Sequence, residues 1–134
     1  MRLARTVVVS LVTLTALSCA RHTERTLLTR FFAASRLRDL TALRSFSTVV
    51  FEPASDGVVT SFEISGMTTA QGRDGASVSE DVSIAAPVRL PDGRTVLKTL
   101  VVTIDRSRSA QDPGSGWMIT AISERSASPS TPRR

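Results

Sequence analysis

Two charged side chains, Glu80 and Lys98, are the best candidates in this sequence for acid–base chemistry. Both have even numbers within two strand-like runs, residues 77–89 and 95–105, and so share the face that carries most of the apolar residues. A carboxylate on such a face can act as a base, with an ammonium group as its electrophilic partner. The alternative is that both lie at open ends of the sheet, with their stems on apolar surface and their charges in water.

The chain lacks the residues that other common kinds of catalytic site require. The one histidine, His22, precedes the predicted domain, and tyrosine is absent. A Ser-His-Asp arrangement therefore cannot form within the domain. No cluster of histidine, cysteine or closely spaced carboxylates has metal-ligand spacing, so we expect no metal. Gly72 and Gly75 lack the Gly-Lys-Ser/Thr ending of a phosphate loop and indicate turns, and we expect no cofactor.

The N-terminal residues have the pattern of an export signal. Two arginines precede a mainly apolar run, residues 6–18, which is shorter than the roughly 20 residues of a membrane-spanning helix. The end of this run, Ala16-Leu17-Ser18-Cys19, resembles the lipobox of bacterial lipoproteins. The resemblance implies that Cys19 is the lipid-modified first residue of the mature protein, anchored to a bacterial membrane in the cell envelope. A plain signal peptide cleaved nearby, with Cys19 incidental, is the alternative.

The net charge of +5 is unevenly distributed along the chain. Arginines concentrate between residues 20 and 46, whereas acidic residues outnumber basic ones between residues 47 and 123. A basic helix beside a lipid anchor could rest on anionic head groups, and the alternative is a solvated helix face. We expect no nucleic-acid partner, because no aromatic platform for base stacking accompanies the arginines.

The segment from Ser77 to Asp105 predicts a long antiparallel hairpin that organises the domain. In its turn, Pro91 presets φ, Asp92 accepts local hydrogen bonds and Gly93 supplies a left-handed residue. If Leu90 pairs with Arg94, the facing pairs on the inner side are Val88 and Val96, Ala86 and Lys98, Ile84 and Leu100, Val82 and Val102, and Glu80 and Ile104. A slip of one residue would invert every side chain, so the register is well specified. It separates Glu80 from Lys98 too far for direct pairing.

Two helices are predicted before the sheet. The first begins with Thr23 as N-cap, and its apolar stripe follows a 3.6-residue period through Leu27, Leu28, Phe31 and Phe32. The second has Asp39 as its expected cap, and the residues expected to face inward are Leu40, Leu43 and Phe46. Leu37 is expected to pack at the corner between the helices.

The remaining segments complete the predicted organisation. Residues 58–66 alternate as a half-buried strand, with Phe62 and Ile64 on the same face as Val58 and Thr60. Residues 106–116 are polar and predict a mobile loop before a last strand at 117–122. The expected parts are a signal peptide (1–18), a lipid-anchored linker (19–22), an α+β domain (23–123) and a disordered tail (124–134).

This order of elements resembles the nuclear transport factor 2-like family. The resemblance spans residues 23–123 and rests on the helical segment 31–43, the hairpin 78–104, and Gly116-Trp117-Met118-Ile119. It implies an α+β cone, with N-terminal helices packed on a curved antiparallel sheet. Many members have a glycine directly before the aspartate of the second helix, where this chain has Arg38.

The cone of that family encloses a pocket, which some members use for catalysis and many use only for binding or dimer formation. The resemblance makes four residues candidates for ligand binding: Phe62, Ile84, Leu100 and Trp117. Isomerase-like relatives combine a carboxylate base with tyrosine or a protonated acid, and this chain has no tyrosine. We therefore expect a non-catalytic domain that binds a small apolar ligand or an envelope protein. An isomerase- or dehydratase-like enzyme using Glu80 is the alternative, and Leu97 and Val101 on the outer face suggest a homodimer.

Overall fold

The structure, a computed structural model, describes residues 23–72, 75, 77–107 and 113–125. Helices α1 (23–37) and α2 (Leu40–Phe46) pack against a curled antiparallel sheet that forms a half-barrel. Its strands are β1 (Val58–Val59), β2 (Glu63–Gln71), β3 (Ser77–Arg89), β4 (Thr95–Ser107) and β5 (Pro113–Glu124). The α+β prediction is confirmed.

Several predicted segments fall partly or wholly beyond this description. The signal peptide, the linker at 19–22 and residues 126–134 of the predicted tail lie outside the described residues, as do residues 108–112 of the predicted loop. The other residues of the predicted loop belong to strands. Strand β4 continues to Ser107, and β5 already begins at Pro113. Strand β5 also extends to Glu124, the first residue of the predicted tail. In the described part of the chain, neither helix is long and apolar enough to cross a bilayer.

Strand β3 is the centre of the sheet and carries the predicted hairpin register with β4. Val88 faces Val96, Ile84 faces Leu100, Val82 faces Val102 and Glu80 faces Ile104. In the turn, Leu90 N donates to Arg94 O at 2.8 Å and Gly93 N donates to Leu90 O at 2.9 Å. Gly93 has a φ of +88°, the left-handed conformation predicted for it. The opposite side of β3 pairs with both β1 and β2.

The hydrophobic core lies between the helices and the inner face of the sheet. Its largest fully buried side chains come from both layers: Leu28, Phe31, Val82, Ile84, Val88, Val102, Ile104 and Ile119. Phe32 makes edge-to-face contacts with Phe31 at 5.2 Å and with Phe51 at 5.6 Å between ring centroids. Burial of each large apolar side chain contributes about 1.5–3 kcal/mol, so this core is what holds the helices on the sheet.

Helix α1 ends in a Schellman motif that turns the chain sharply into α2. Arg38 N donates to Ser35 O at 3.0 Å, and Asp39 N donates to Ala34 O at 2.9 Å. Arg38 has a φ of +56°, a conformation that glycine adopts more readily than arginine. Asp39 then caps α2 as predicted, because its Oδ1 accepts from Ala42 N at 3.0 Å.

The predicted burial of two leucines at this corner is wrong. Leu37 is 74% exposed and Leu40 is 48% exposed, whereas Leu43 is 2% exposed. Leu37 lies nine residues after the buried Leu28, which is about two and a half helical turns, so its side chain points away from the core. Leu40 is the first residue of a seven-residue helix whose buried side chain is Leu43.

The predicted alternation after residue 58 changes phase in the structure. Val59 is buried at 2% exposure, whereas Val58 is only half-buried and Thr60 is exposed. Phe62 and Ile64 pack against the core as predicted, so they share a side with Val59 and not with Val58. Residues 60–62 are not part of a strand, and this break between β1 and β2 shifts the inward-facing parity by one residue.

Candidate functional site

Glu80 lies on the inner face of β3, opposite Ile104 on β4 and Thr69 on β2. Its Oε2 atom is buried and has no hydrogen-bond partner among the described residues. In contrast to the alternative of a fully solvated head group, one oxygen of this carboxylate is enclosed, while the side chain as a whole is half-buried. The physical reason is that helix α1 covers this end of the sheet, and strand alternation alone cannot reveal what lies across the face.

The side chain that meets Glu80 is Glu24, near the described start of α1. Glu24 is only 2% exposed, and its Oε2 is also buried without a hydrogen-bond partner in the described part of the chain. Burial raises the pKa of Glu80 above its ordinary value, and the charge and hydrogen bond of Glu24 raise it further, while Arg106 opposes the shift. Glu80 therefore keeps its proton to a higher pH than an isolated glutamate does.

Sequence reasoning missed Glu24, although its spacing carried a signal. Glu24 lies four residues before Leu28 and seven before Phe31, which are both fully buried. At 3.6 residues per turn, these three positions lie on one stripe of the helix. A glutamate on an apolar stripe faces the sheet, and the even-numbered face of β3 offered Glu80 as a partner.

Close to Glu80, Arg106 of β4 pairs with Trp117 of β5. The two residues are register partners, and the guanidinium carbon of Arg106 lies 5.3 Å from the centre of the Trp117 ring. This distance allows a cation–π interaction. Trp117 also packs against the core, so its ring is shared between Arg106 and apolar neighbours. The positive charge of Arg106 is close enough to Glu80 to lower its pKa, against the effects of burial and Glu24.

Lys98 lies far from Glu80, as the register predicts. It faces Ala86, six residues from Glu80 along β3, which corresponds to about 20 Å of strand. Its Nζ instead donates to Glu124 Oε2 at 2.7 Å, and the side chain is 23% exposed. Glu80 and Lys98 therefore belong to different ends of the sheet and cannot act on one substrate atom.

The ion pair of Lys98 and Glu124 borders a surface pocket of about 380 Å³. Apolar side chains from β4, β5 and the α2–β1 connection form its walls: Val49, Val50, Phe51, Leu100 and Ile122. Phe51 is positioned by the Ser35 hydroxyl, which donates to its carbonyl oxygen. Ser55, Asp56, Lys98 and Glu124 also line the pocket, so it combines an apolar wall with polar and charged groups. Such a lining suits a small ligand with an apolar body and a few polar groups.

A second pocket of about 320 Å³ lies between α1 and the β1–β2 connection. Phe32 and Phe62 form its aromatic wall, and Arg25, Thr29 and Arg36 border it from the helix. The guanidinium carbon of Arg25 lies 5.7 Å from the centre of the Phe62 ring. The same guanidinium is 3.5 Å from Glu63 Oε2, so the pocket entrance is already bridged by an exposed ion pair.

The structure does not bring the four predicted ligand-binding residues into one cavity. Leu100 borders the first pocket and Phe62 borders the second. Ile84 has no exposed surface and belongs to the core, while Trp117 is engaged by Arg106. The cause is that α1 and α2 fill the middle of the inner face with their own apolar side chains, which separates the two pockets.

The described residues contain no cluster of side chains suited to bind a metal ion. No group of three or more histidine, cysteine, aspartate or glutamate residues among them could hold an ion. Cys19, the predicted lipidation site, and His22 lie outside the described residues. No family model, curated protein or solved structure matches the chain.

Proposed function

We propose that this chain is an exported envelope protein, anchored to a bacterial membrane through a lipid on Cys19, whose domain binds a ligand or partner without catalysing a reaction. The first 19 residues support export and anchoring through their two arginines, apolar run and lipobox-like ending. The domain supports binding through its partly apolar surface pocket, which Lys98 and Glu124 help to line.

The observation that carries the non-catalytic part is the filled inner face of the sheet. Leu28 and Phe31 of α1 and Ile84, Val102 and Ile104 of the strands are all fully buried. A substrate cannot occupy the middle of a half-barrel that the protein's own side chains already fill at the density of a protein interior. A ligand is therefore restricted to openings at the surface.

We assign the domain to the nuclear transport factor 2-like cone as part of this proposal. Two helices packed on a curled antiparallel sheet support the assignment. Arg38 adds a more specific argument. It has a left-handed φ of +56° at the position where many family members have glycine, so the same helix corner is built from a less favourable residue.

The proposed ligand site is the pocket formed by Val49, Val50, Phe51, Leu100 and Ile122. Phenylnaphthylamine, an uncharged apolar dye that fluoresces in apolar surroundings, is the probe. Val50 is 53% exposed at this pocket, so Val50→Glu adds a carboxylate there without disturbing the core. We expect about a tenfold loss of dye affinity, equivalent to about 1.4 kcal/mol.

Leu97→Glu is the matched control for this test. Leu97 is 77% exposed, but it lies on the outer face of β4 and does not line the pocket. We expect this variant to bind the dye as the wild type does. Equal losses in the two variants, or none in either, would contradict the proposed ligand site.

A second candidate function is an isomerase- or dehydratase-like enzyme using Glu80. It is favoured by the raised pKa of Glu80, since burial beside a second carboxyl group is one way in which enzymes keep a carboxyl group protonated as a general acid. Glu80→Gln separates the two functions. An enzyme would lose turnover while remaining folded, whereas the binding domain keeps its dye affinity, because Glu80 is outside the pocket.

The exposed outer face of the sheet supports a homodimer as a further part of the proposal. Leu97 is 77% exposed there, and the half-buried Val101 lies on the same face of β4. Met118 of β5, opposite Asp105, is a further half-buried apolar residue of this face. Burial of such apolar surface favours association. Equilibrium sedimentation of residues 20–134 is expected to give a dimer that Leu97→Glu dissociates. A monomer at high concentration would contradict this part.

Lipid anchoring has its own test. The protein isolated from bacterial membranes is expected to begin at Cys19 and to carry the added mass of acyl chains by mass spectrometry. A mature chain that begins elsewhere, or an unmodified Cys19, would contradict the anchoring.

A further inference from the structure

The corner between α1 and α2 combines exposed leucines with exposed arginines. Leu37 is 74% exposed and Leu40 is 48% exposed, and the two leucines are only three residues apart at this corner. The arginines around them are also exposed. We call this region the helix-corner surface and define it by Arg30, Arg36, Leu37, Arg38, Leu40 and Arg44.

The arginines of the helix-corner surface lack acidic partners. The three ion pairs found among the described residues involve Arg25, Arg94 and Lys98, and none involves an arginine of this surface. Asp39 is the acidic residue within the corner, and its Oδ1 is used to cap α2. Glu24, the other acid of the two helices, is buried against the sheet. The helix-corner surface therefore carries a positive charge that the described protein does not neutralise.

Two residues of the helix-corner surface lie on one side of α1. Arg30 and Leu37 are seven residues apart, about two helical turns, and so lie on the same side of α1. This side is opposite the buried stripe, since Leu37 and Leu28 are separated by about two and a half turns. A flat surface can therefore touch α1 along its length without disturbing the core.

We propose that the helix-corner surface rests on a bilayer of anionic lipids. Arginine guanidinium groups bind lipid phosphates while their stems cover apolar surface, and the two leucines enter the boundary between head groups and acyl chains. The inference rests on the proposed function, in which a lipid on Cys19, four residues before the described start of α1, holds the domain at a membrane.

The opposite face of the domain has a different charge pattern and makes the orientation specific. Asp81 and Asp105 lie on the outer face of the sheet, where they accept hydrogen bonds from Thr103 at 2.7 Å and from Thr120 at 2.8 Å. An anionic bilayer repels these carboxylates and attracts the unpaired arginines. This difference in charge favours contact of the bilayer with the helix-corner surface over contact with the part of the sheet that carries these carboxylates.

The test compares two leucines of almost equal exposure on opposite sides of the domain. In the full chain with Cys19→Ser, Leu37→Cys or Leu97→Cys is labelled with an environment-sensitive fluorophore; the two leucines are 74% and 77% exposed. Vesicles contain phosphatidylcholine alone or with phosphatidylglycerol. We expect brighter, blue-shifted emission at position 37 with phosphatidylglycerol vesicles, and no change at position 97. High salt should abolish the change.

Two triple variants check that the arginines of the surface cause the effect. Replacing Arg36, Arg38 and Arg44 by glutamine should raise the lipid concentration for half-maximal change about fivefold for each arginine removed. The matched control removes the same charge from exposed arginines elsewhere: Arg89, Arg94 and Arg125. It should leave the response at position 37 unchanged, because these residues lie outside the helix-corner surface.

Several results would overturn the inference. These are equal responses at positions 37 and 97, an equal response with phosphatidylcholine alone, or equal effects of the two triple variants. A response at position 37 without vesicles that grows with protein concentration would show that a second copy covers the corner instead. Because Cys19 is replaced, the outcome does not depend on lipidation, which the mass of the mature N-terminus tests separately.

Discussion

Glu80→Gln should remove a pH-dependent loss of folding stability that arises where Glu24 of α1 lies against Glu80 of β3. In the wild type, two partly or fully buried carboxyls meet there, and both Oε2 atoms lack a hydrogen-bond partner among the described residues. Glutamine has nearly the same shape as glutamate, cannot ionise, and can donate an amide hydrogen bond to Glu24. The variant should therefore keep the fold and lose the repulsion.

The direction of the effect follows from the raised pKa of Glu80. A group with a higher pKa in the folded state stabilises the fold fully below its unfolded pKa, near the ordinary value of 4.5. This stabilisation disappears as the pH rises through the folded pKa. One such proton changes the free energy of unfolding by at most about 1.4 kcal/mol per pH unit, and by less here because Glu80 is partly solvated.

The assay is urea unfolding between pH 4 and pH 8, followed by the fluorescence of Trp117. We expect the free energy of unfolding of Glu80→Gln relative to wild type to rise with pH, so that the variant is the more stable protein at pH 8. Glu52→Gln is the control, because Glu52 is exposed. A difference between Glu80→Gln and wild type that is independent of pH, or that falls as pH rises, would refute the reasoning.

Four further substitutions test the backbone and the core by the same unfolding assay. Arg38→Gly should stabilise the protein by about 0.5–1 kcal/mol, because φ is +56° there, whereas Arg36→Gly, inside α1, should destabilise it by about 1 kcal/mol. Gly57→Ala should cost more than about 1 kcal/mol, because φ is +92° and a Cβ atom would lie 2.7 Å from Arg89 O. Ile84→Ala should cost about 2–5 kcal/mol, because Ile84 has no exposed surface. Opposite signs at either of the first two positions, or a negligible loss at the last two, would contradict these assignments.

The hairpin could be predicted residue by residue because its determinants are local. The turn at Asp92-Gly93 fixes the pairing of Leu90 with Arg94, and strand alternation then extends the register to Glu80 and Ile104. The cap at Asp39 was predictable for the same reason, since an N-cap needs only its own side chain and the next helical turn.

The remaining features depend on packing between distant segments. The exposure of Leu37 and Leu40 follows from where α1 stops and how sharply Arg38 turns the chain. The side chains change their alternation after Val59 because residues 60–62 are not part of a strand. A pattern of alternating apolar and polar residues does not reveal such an interruption. The meeting of Glu24 with Glu80 required knowing which end of the sheet α1 covers, a choice that no local pattern specifies.

The most direct test of the central claim is methyl NMR of the domain during titration with phenylnaphthylamine. The claim is that the interior is filled and that ligands bind at the surface pocket beside the Lys98–Glu124 ion pair. It predicts chemical-shift changes at the methyl groups of Val50, Leu100 and Ile122. Changes centred on Ile104, beside Glu80, with none at these three residues, would contradict it.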